Sequence, residues 1–282
     1  MDDIRLIVMD MDGTLLTPPP VQISPKTRDA LLQAHAAGIA LALCSGRLPD
    51  DASVFARNAA LPCHVIALNG ACMLNAPLGP MVYSHHLAEE DAEQVYERLR
   101  NTPTTFAMFC DHDLYVRSLD TPPLPDLVWG TYLAYPGTRT RVFTREADAL
   151  PLLRRGVSKF VCVHPRDDGV LQQLQAALSS DIPGIALTSS WKDNIEIIRR
   201  GVDKGYGIQQ LCERLALSPS QVMAFGDQDN DLPMLEACGF PVAMGNAAPS
   251  VCDAARFITR SNRDDGIAWA LEQLLFSASS RN

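Results

Sequence analysis

The sequence predicts an α/β fold in which a parallel-sheet core is split by an inserted α+β domain. Three observations lead to that expectation. Short apolar runs alternate with helical stretches near the N-terminus. The pattern then loosens into alternating strands and a hairpin, and the first rhythm returns toward the C-terminus.

Each element follows from its residues. Residues 4–9 form an apolar run broken only by Arg5, as in a strand buried on both faces. A loop with Pro18, Pro19 and Pro20 leads to Ser24-Pro25, an N-cap followed by proline at the first helical position. That helix passes through Leu31 and Ala34 and stops near Gly38, a residue suited to the left-handed turn that ends helices. Residues 39–44 and 65–68 read as the second and third buried strands. Strand, helix, strand implies a parallel sheet with helices on its faces. After Tyr83 the pattern changes. A helix over 88–100 places Ala92, Val95, Tyr96 and Leu99 on one side. Phe106, Met108 and Cys110 alternate ahead of an Asp111-His112-Asp113 turn and Leu114-Tyr115-Val116, which reads as a hairpin. Strands over 159–163 and 185–189 flank a helix over 170–178. The βαβ rhythm resumes with a strand at 194–198, a helix over 205–215, a strand over 221–225 and a helix beginning near Asp231. Strands at 242–244 and 256–259 and a helix over 266–276 follow, and the serine-rich tail at 277–282 is expected to fray. The expected organisation is a Rossmann-like core from residues 1–84 and 191–282, with residues 85–190 inserted as the α+β domain.

Composition narrows the function. The chain has 282 residues and a formal charge of −9, from 24 Lys and Arg against 33 Asp and Glu. Such a surface repels phosphate backbones, so nucleic acid is not an expected partner. A bound divalent cation reverses the field locally, which leaves small anionic substrates open. The acidic start Met1-Asp2-Asp3-Ile4 runs straight into a strand, and no apolar stretch is long enough to span a bilayer, so no secretory signal and no membrane partner are expected. Eight scattered cysteines without Cys-x-x-Cys or zinc-type spacing fit reduced thiols in a cytoplasmic protein. His85-His86 has no spaced partner and reads as a hinge or surface pair.

Four polar clusters stand at or just beyond the apolar runs: Asp10-Met11-Asp12-Gly13-Thr14, Cys44-Ser45-Gly46-Arg47, Lys204, and Gly226-Asp227-Gln228-Asp229-Asn230-Asp231. Each has a plain structural reading. Asp-x-Asp-Gly can be an Asx-type turn, Ser45 a helix N-cap, Lys204 a solvated side chain and the last cluster an acidic loop. Together they fall at the carboxyl edge of one sheet, where α/β proteins bind ligands. A serine hydroxyl and adjacent backbone N–H groups can hold phosphate oxygens. Lys204 opens a helix, where an ammonium opposes the macrodipole unless an anion sits beside it. Three carboxylates in five residues repel one another, and oxygen-only ligands suit Mg²⁺. Carboxylates, a hydroxyl and an ammonium are what a magnesium-dependent phosphoryl-transfer site requires.

In this order and spacing, the clusters resemble the haloacid dehalogenase-like superfamily, and within it the Cof-type sugar-phosphate phosphatases with a C2-type cap. The likeness extends to Ile66-Ala67-Leu68-Asn69-Gly70-Ala71, Gly201-Val202-Asp203-Lys204-Gly205, Val242-Ala243-Met244-Gly245-Asn246-Ala247 and Asp265-Gly266. The resemblance implies that Asp10 is the nucleophile and Asp12 the general acid and base. It implies Mg²⁺ held by Asp10, Asp227 and the backbone carbonyl of Asp12. Ser45, Gly46, Lys204 and Asn230 would hold the phosphoryl oxygens, Asp231 would support the metal or Lys204, and Arg47 and Asn69 would lie near the substrate. The activity it implies is hydrolysis of a small phosphorylated metabolite, a sugar phosphate or relative, through an aspartyl phosphate, in a monomer or homodimer. A phosphosugar mutase and a receiver-like phospho-switch are the alternatives.

Overall fold

The computed structural model describes residues 3–18, 21–117, 139–143, 148–164, 169–190 and 193–276. Pro19, Pro20 and the expected frayed tail at 277–282 lie outside the described residues. The chain begins with strands β1 (Leu6–Met9), β2 (Ala40–Cys44), β3 (Cys63–Ala67), β4 (Cys72–Leu74) and β5 (Met81–Ser84). Helices α1 (Pro25–Ala36) and α2 (Pro49–Asn58) connect the first three. There follow α3 (Glu89–Arg100), β6 (Thr105–Cys110), β7 (Asp113–Arg117), β8 (Arg139–Phe143), α4 (Ala149–Arg155), β9 (Lys159–Val163), α5 (Val170–Asp181), β10 (Ile185–Thr188) and β11 (Asn194–Arg199). The chain closes with α6 (Lys204–Leu215), β12 (Val222–Gly226), α7 (Leu232–Glu236), β13 (Phe240–Ala243), α8 (Pro249–Ala254), β14 (Phe257–Ile258) and α9 (Gly266–Leu271).

The strands form two sheets. The core sheet runs β14-β13-β12-β1-β2-β3-β4-β5. Its first six members are parallel, and β4 and β5 add an antiparallel edge. Alternation along each strand sends residues to opposite faces. Ile7, Met9, Leu41 and Leu43 join Leu31 of α1, Ala52 of α2 and Ile267 of α9 in one buried cluster. Leu6, Val8, Ala42 and Cys44 join Ile208 of α6, Leu235 of α7 and Val251 of α8 in another. The core is therefore a three-layer, doubly wound domain.

The second sheet runs β10-β11-β9-β6-β7-β8 and is antiparallel except between β7 and β8. One face, with Phe106, Met108, Phe160 and Cys162, packs beneath helices that supply Val95, Leu153 and Leu178. The other face, with Ala107, Phe109, Val161 and Val163, shares a cluster with core residues such as Leu48 and Leu68. The inserted domain thus covers the core with a sheet face.

One expected element joins a different sheet. The strand read at 194–198 as the return of the core pairs instead with β10 and β9 of the inserted sheet. Its residues suit any buried strand, and which sheet a strand joins depends on partners distant in sequence. The winding of the core resumes only with α6. His85 and His86 follow β5, where the chain crosses toward α3; His85 Nε2 lies 2.8 Å from the Tyr206 hydroxyl and His86 Nε2 lies 2.9 Å from Asp111. No helix among the described residues is long and apolar enough to cross a membrane.

Candidate active site

Because β1, β2, β3, β12 and β13 are parallel, the segments that leave them emerge side by side. Met9 lies level with Leu43 on one side and Phe225 on the other, which brings Asp10, Cys44-Ser45 and Gly226-Asp227 to one edge. After Asp10 the chain makes one wide turn, with Leu16 N–H donating to Met11 O at 2.9 Å and Gly13 at φ +85°. The turn brings Thr14 back over the edge, where its hydroxyl donates to Asp227 Oδ1 at 2.7 Å.

Lys204 sits at the first position of α6, capped by the Asp203 side chain, which accepts from Tyr206 N–H at 2.8 Å. Its side chain is fully buried and its ammonium donates to Asp10 Oδ1 at 2.6 Å and to Asp231 Oδ1 at 2.5 Å. The other oxygen of Asp231 accepts the backbone N–H groups of Asp227 and Gln228, at 2.8 and 3.1 Å. Asp231 therefore fixes both the lysine and the turn that presents Asp227. Asp12 points elsewhere. Its half-exposed carboxylate takes a two-pronged contact from Arg47, at 2.7 Å from Nε and 2.5 Å from Nη2, and the Arg47 guanidinium also lies over the Phe55 ring.

One oxygen from each of Asp10, Asp227 and Asp231 lies within 4.8 Å of the other two. Burial pushes the Asp10 carboxyl well above the usual range; Lys204 opposes the shift, and Asp231, Asp227 and Asp12 add to it. Asp227 is pushed up to about 6, by burial and then by the charge of Asp231. Burial disfavours charge on Lys204, but Asp10 and Asp231 outweigh it and hold the group protonated. One ammonium cannot balance three carboxylates. A hard cation with oxygen ligands would supply the missing charge, and this donor set fits Mg²⁺.

Residues 7–271 match the haloacid dehalogenase-like hydrolase family. The chain belongs to that family. It is 30% identical over 266 residues to the pyridoxal phosphate phosphatase YbhA of Escherichia coli (strain K12), covering 94% of this chain and 96% of that one. It is 31% identical over 248 residues to the HMP-PP phosphatase of Cronobacter sakazakii, covering 88% and 86%. A solved haloacid dehalogenase-like hydrolase from Bacteroides thetaiotaomicron superposes with a TM-score of 0.81 at 28% identity, covering 96% of this chain and all of that one. The chain is a phosphatase of the family's Cof type, with the inserted sheet as its cap.

Within this hydrolase, the structure gathers Asp10, Lys204, Asp227 and Asp231 into one contact set. Ser45 is buried at the end of β2, its hydroxyl accepting Arg47 N–H at 3.2 Å. Asn230 stands in the turn between Asp229 and Asp231. Gly46 and Asn69 lie against the cap, where Gly46 O accepts from Lys159 and the Asn69 amide donates to Glu196. Three contributors stand in the motifs read from the sequence but carried no assigned role there. Thr14 and Gln228 both donate to Asp227, and Asn246 donates to Gly13 O at 2.8 Å. Lys159 and Glu196 also went unmarked, although a lone charge inside an apolar strand is a legible signal of a paired, buried role.

Proposed function

We propose that this phosphatase hydrolyses small phosphate monoesters in a Mg²⁺-dependent reaction, with Asp10 as nucleophile. The observation that carries the reading is the buried ammonium of Lys204 held between Asp10 and Asp231 beside the Asp227 carboxylate. An Asp10 oxygen forms a bond to phosphorus as the phosphorus–alkoxide bond breaks, and Asp12 gives its proton to the departing alkoxide. Water then attacks the aspartyl phosphate, Asp12 takes a proton from it, and cleavage of the bond to Asp10 releases inorganic phosphate. Asp10, Asp227 and the Asp12 backbone carbonyl would hold Mg²⁺, which supplies positive charge against the phosphate oxygens when bound. Lys204 adds to that charge, and the Ser45 hydroxyl, the Gly46 amide and Asn230 orient the phosphoryl oxygens. Arg47 donates to both Asp12 oxygens in this structure, so Asp12 must release at least one of these contacts to act as acid and base.

The cap sheet covers the core, and closing it over a bound substrate would exclude bulk water. The relatives named for pyridoxal phosphate and HMP-PP support a small phosphorylated metabolite as the substrate class. The test is Asp10→Asn, assayed by phosphate release from an aryl phosphate with and without Mg²⁺. The variant should keep the wild-type circular dichroism spectrum and lose turnover. Wild-type turnover in that variant would remove Asp10 as nucleophile, and a panel of phosphorylated metabolites run on the wild type would then identify the favoured leaving group.

A further inference from the structure

We infer that Lys159 and Glu196 of the cap are positioning residues that hold the two core loops receiving the phosphoryl group. The inference rests on the phosphatase reading and gives it residues outside the carboxylate cluster. Strand parity places both on the core-facing side. In β9, Phe160 and Cys162 face the cap helices while Val161 and Val163 face the core, and Lys159 shares the parity of the valines. In β11, Ile195 and Ile197 face the helices, so Glu196 faces the other way. The register sets Glu196 opposite Val161 and Ile198 opposite Lys159, which makes the two charges diagonal neighbours.

The pair is almost wholly enclosed, at 0% and 1% side-chain exposure, with Lys159 Nζ 2.8 Å from Glu196 Oε2. Two buried charges are tolerated only when further hydrogen bonds complete their shells. Here those bonds cross from cap to core. Lys159 Nζ donates to Gly46 O at 2.8 Å, and Asn69 Nδ2 donates to Glu196 Oε2 at 2.6 Å. Ser190 donates to the other Glu196 oxygen, and the Lys159 ammonium faces the Phe109 ring.

Gly46 and Asn69 belong to loops that are already joined. Asn69 N–H donates to Ser45 O, and Leu68 N–H to Arg47 O, each at 3.0 Å. Leu68 and Asn69 are consecutive non-glycine residues at φ +52° and +56°, a conformation that persists only where surrounding contacts hold it. The buried Asn69 Oδ1 has no hydrogen-bond partner among the described residues and points at Gly46, 3.0 Å from where a Cβ there would stand. Removing the cap would take a cation from the Gly46 carbonyl and a carboxylate from the Asn69 amide. Cap docking and ordering of the Ser45-Gly46 loop are then one event.

The test replaces both charges at once, as Lys159→Met with Glu196→Met, so that neither is left buried alone. Asn69→Gly is the second variant; it tolerates the positive φ and deletes the amide. Three quantities are read: the thermal midpoint, hydrogen exchange of segments spanning 45–47 and 68–70, and the affinity for inorganic phosphate in Mg²⁺. The double variant should melt at or above the wild-type temperature, exchange faster in both loops and bind phosphate on the order of a hundredfold more weakly. Asn69→Gly should reproduce the exchange and affinity changes, and adding it to the double variant should change little more. Wild-type exchange in the loops, or wild-type phosphate affinity despite faster exchange, overturns the inference; if the double variant does not fold, Asn69→Gly decides on the same readouts. Exchange needs neither substrate nor metal, so it judges the clamp even if the wild type releases no phosphate. That last result would instead overturn the phosphatase reading.

Discussion

A Cβ added at Gly13 would stand 2.2 Å from Asp227 Oδ2, at a φ of +85° that side chains rarely adopt. Gly13→Ala must therefore displace Asp227 or unwind the turn that carries Asp12 and Thr14. The strained φ alone costs about 1–2 kcal/mol, and kcat/KM should fall by about a hundredfold if a reacting group moves by roughly 1 Å. A lower denaturation midpoint with unchanged kcat/KM would mean that the turn adapts without disturbing the site. The same residues show what a sequence discloses at this scale. Asp10 and Asp227 were legible because each is a charge at the end of an apolar run, and parallel strands bring such ends together. Lys204 was legible as an ammonium at the start of a helix, where only a neighbouring anion makes it welcome. Arg47 was expected beside the substrate, and two of its guanidinium nitrogens contact Asp12. That partnership depends on where the turn after Asp10 points, which no spacing rule encodes. Lys159 and Glu196 were unread because their pairing arises only when β9 and β11 lie side by side.

At the level of elements, α6 begins and ends with contrasting caps. Asp203 satisfies the first turn, while exposed Ala216 closes the last in the left-handed region at φ +54°. A residue with a Cβ is strained there and glycine is not. Ala216→Gly should add about 1 kcal/mol and raise the thermal midpoint by about 2–4 °C; calorimetry on the two proteins checks it, and a lower midpoint would show that glycine's entropy in the unfolded chain outweighs the relief. The N-terminal cap of α1 was readable from Ser24-Pro25, and the Ser24 hydroxyl does accept Thr27 N–H at 3.1 Å. Long buried strands were equally plain. By contrast, a helix after Ser45 was expected but its bounds were not legible, because the first turns of α2 bury Asp50, Asp51 and Ser53 and so lack a simple apolar stripe. Strand β11 was recognised as a strand but placed in the core sheet, since its alternation of Ile195, Glu196 and Ile197 would serve either.

For the whole molecule, the apolar cluster shared by cap and core makes enclosure of the site part of folding stability. Glu196 contributes to it in a pH-dependent way. Burial raises its pKa, but the Lys159 charge and hydrogen bonds from Lys159, Ser190 and Asn69 outweigh that and hold it below the ordinary 4.5. The unfolded chain then binds the proton more readily, so this contribution is complete above the unfolded value and is lost as pH falls through the depressed one. Urea stability of the wild type should therefore exceed that of Glu196→Gln at about pH 6, with the gap narrowing by about pH 3; a gap independent of pH would show that the carboxylate's ionisation contributes nothing. The carboxylate cluster predicts a second dependence, on metal. Asp10, Asp227 and Asp231 converge only in the folded chain, so a divalent cation bound there stabilises the native state by mass action. At about a hundred times its dissociation constant, the gain is about 2.7 kcal/mol. Melting in Mg²⁺ against chelator should show that shift in the wild type. In Asp227→Asn the shift should shrink sharply, because the neutral amide removes one of the three carboxylates and leaves Thr14 with a different partner. An undiminished shift in Asp227→Asn would place the stabilising cation elsewhere, and with it the charge that balances the incoming phosphate.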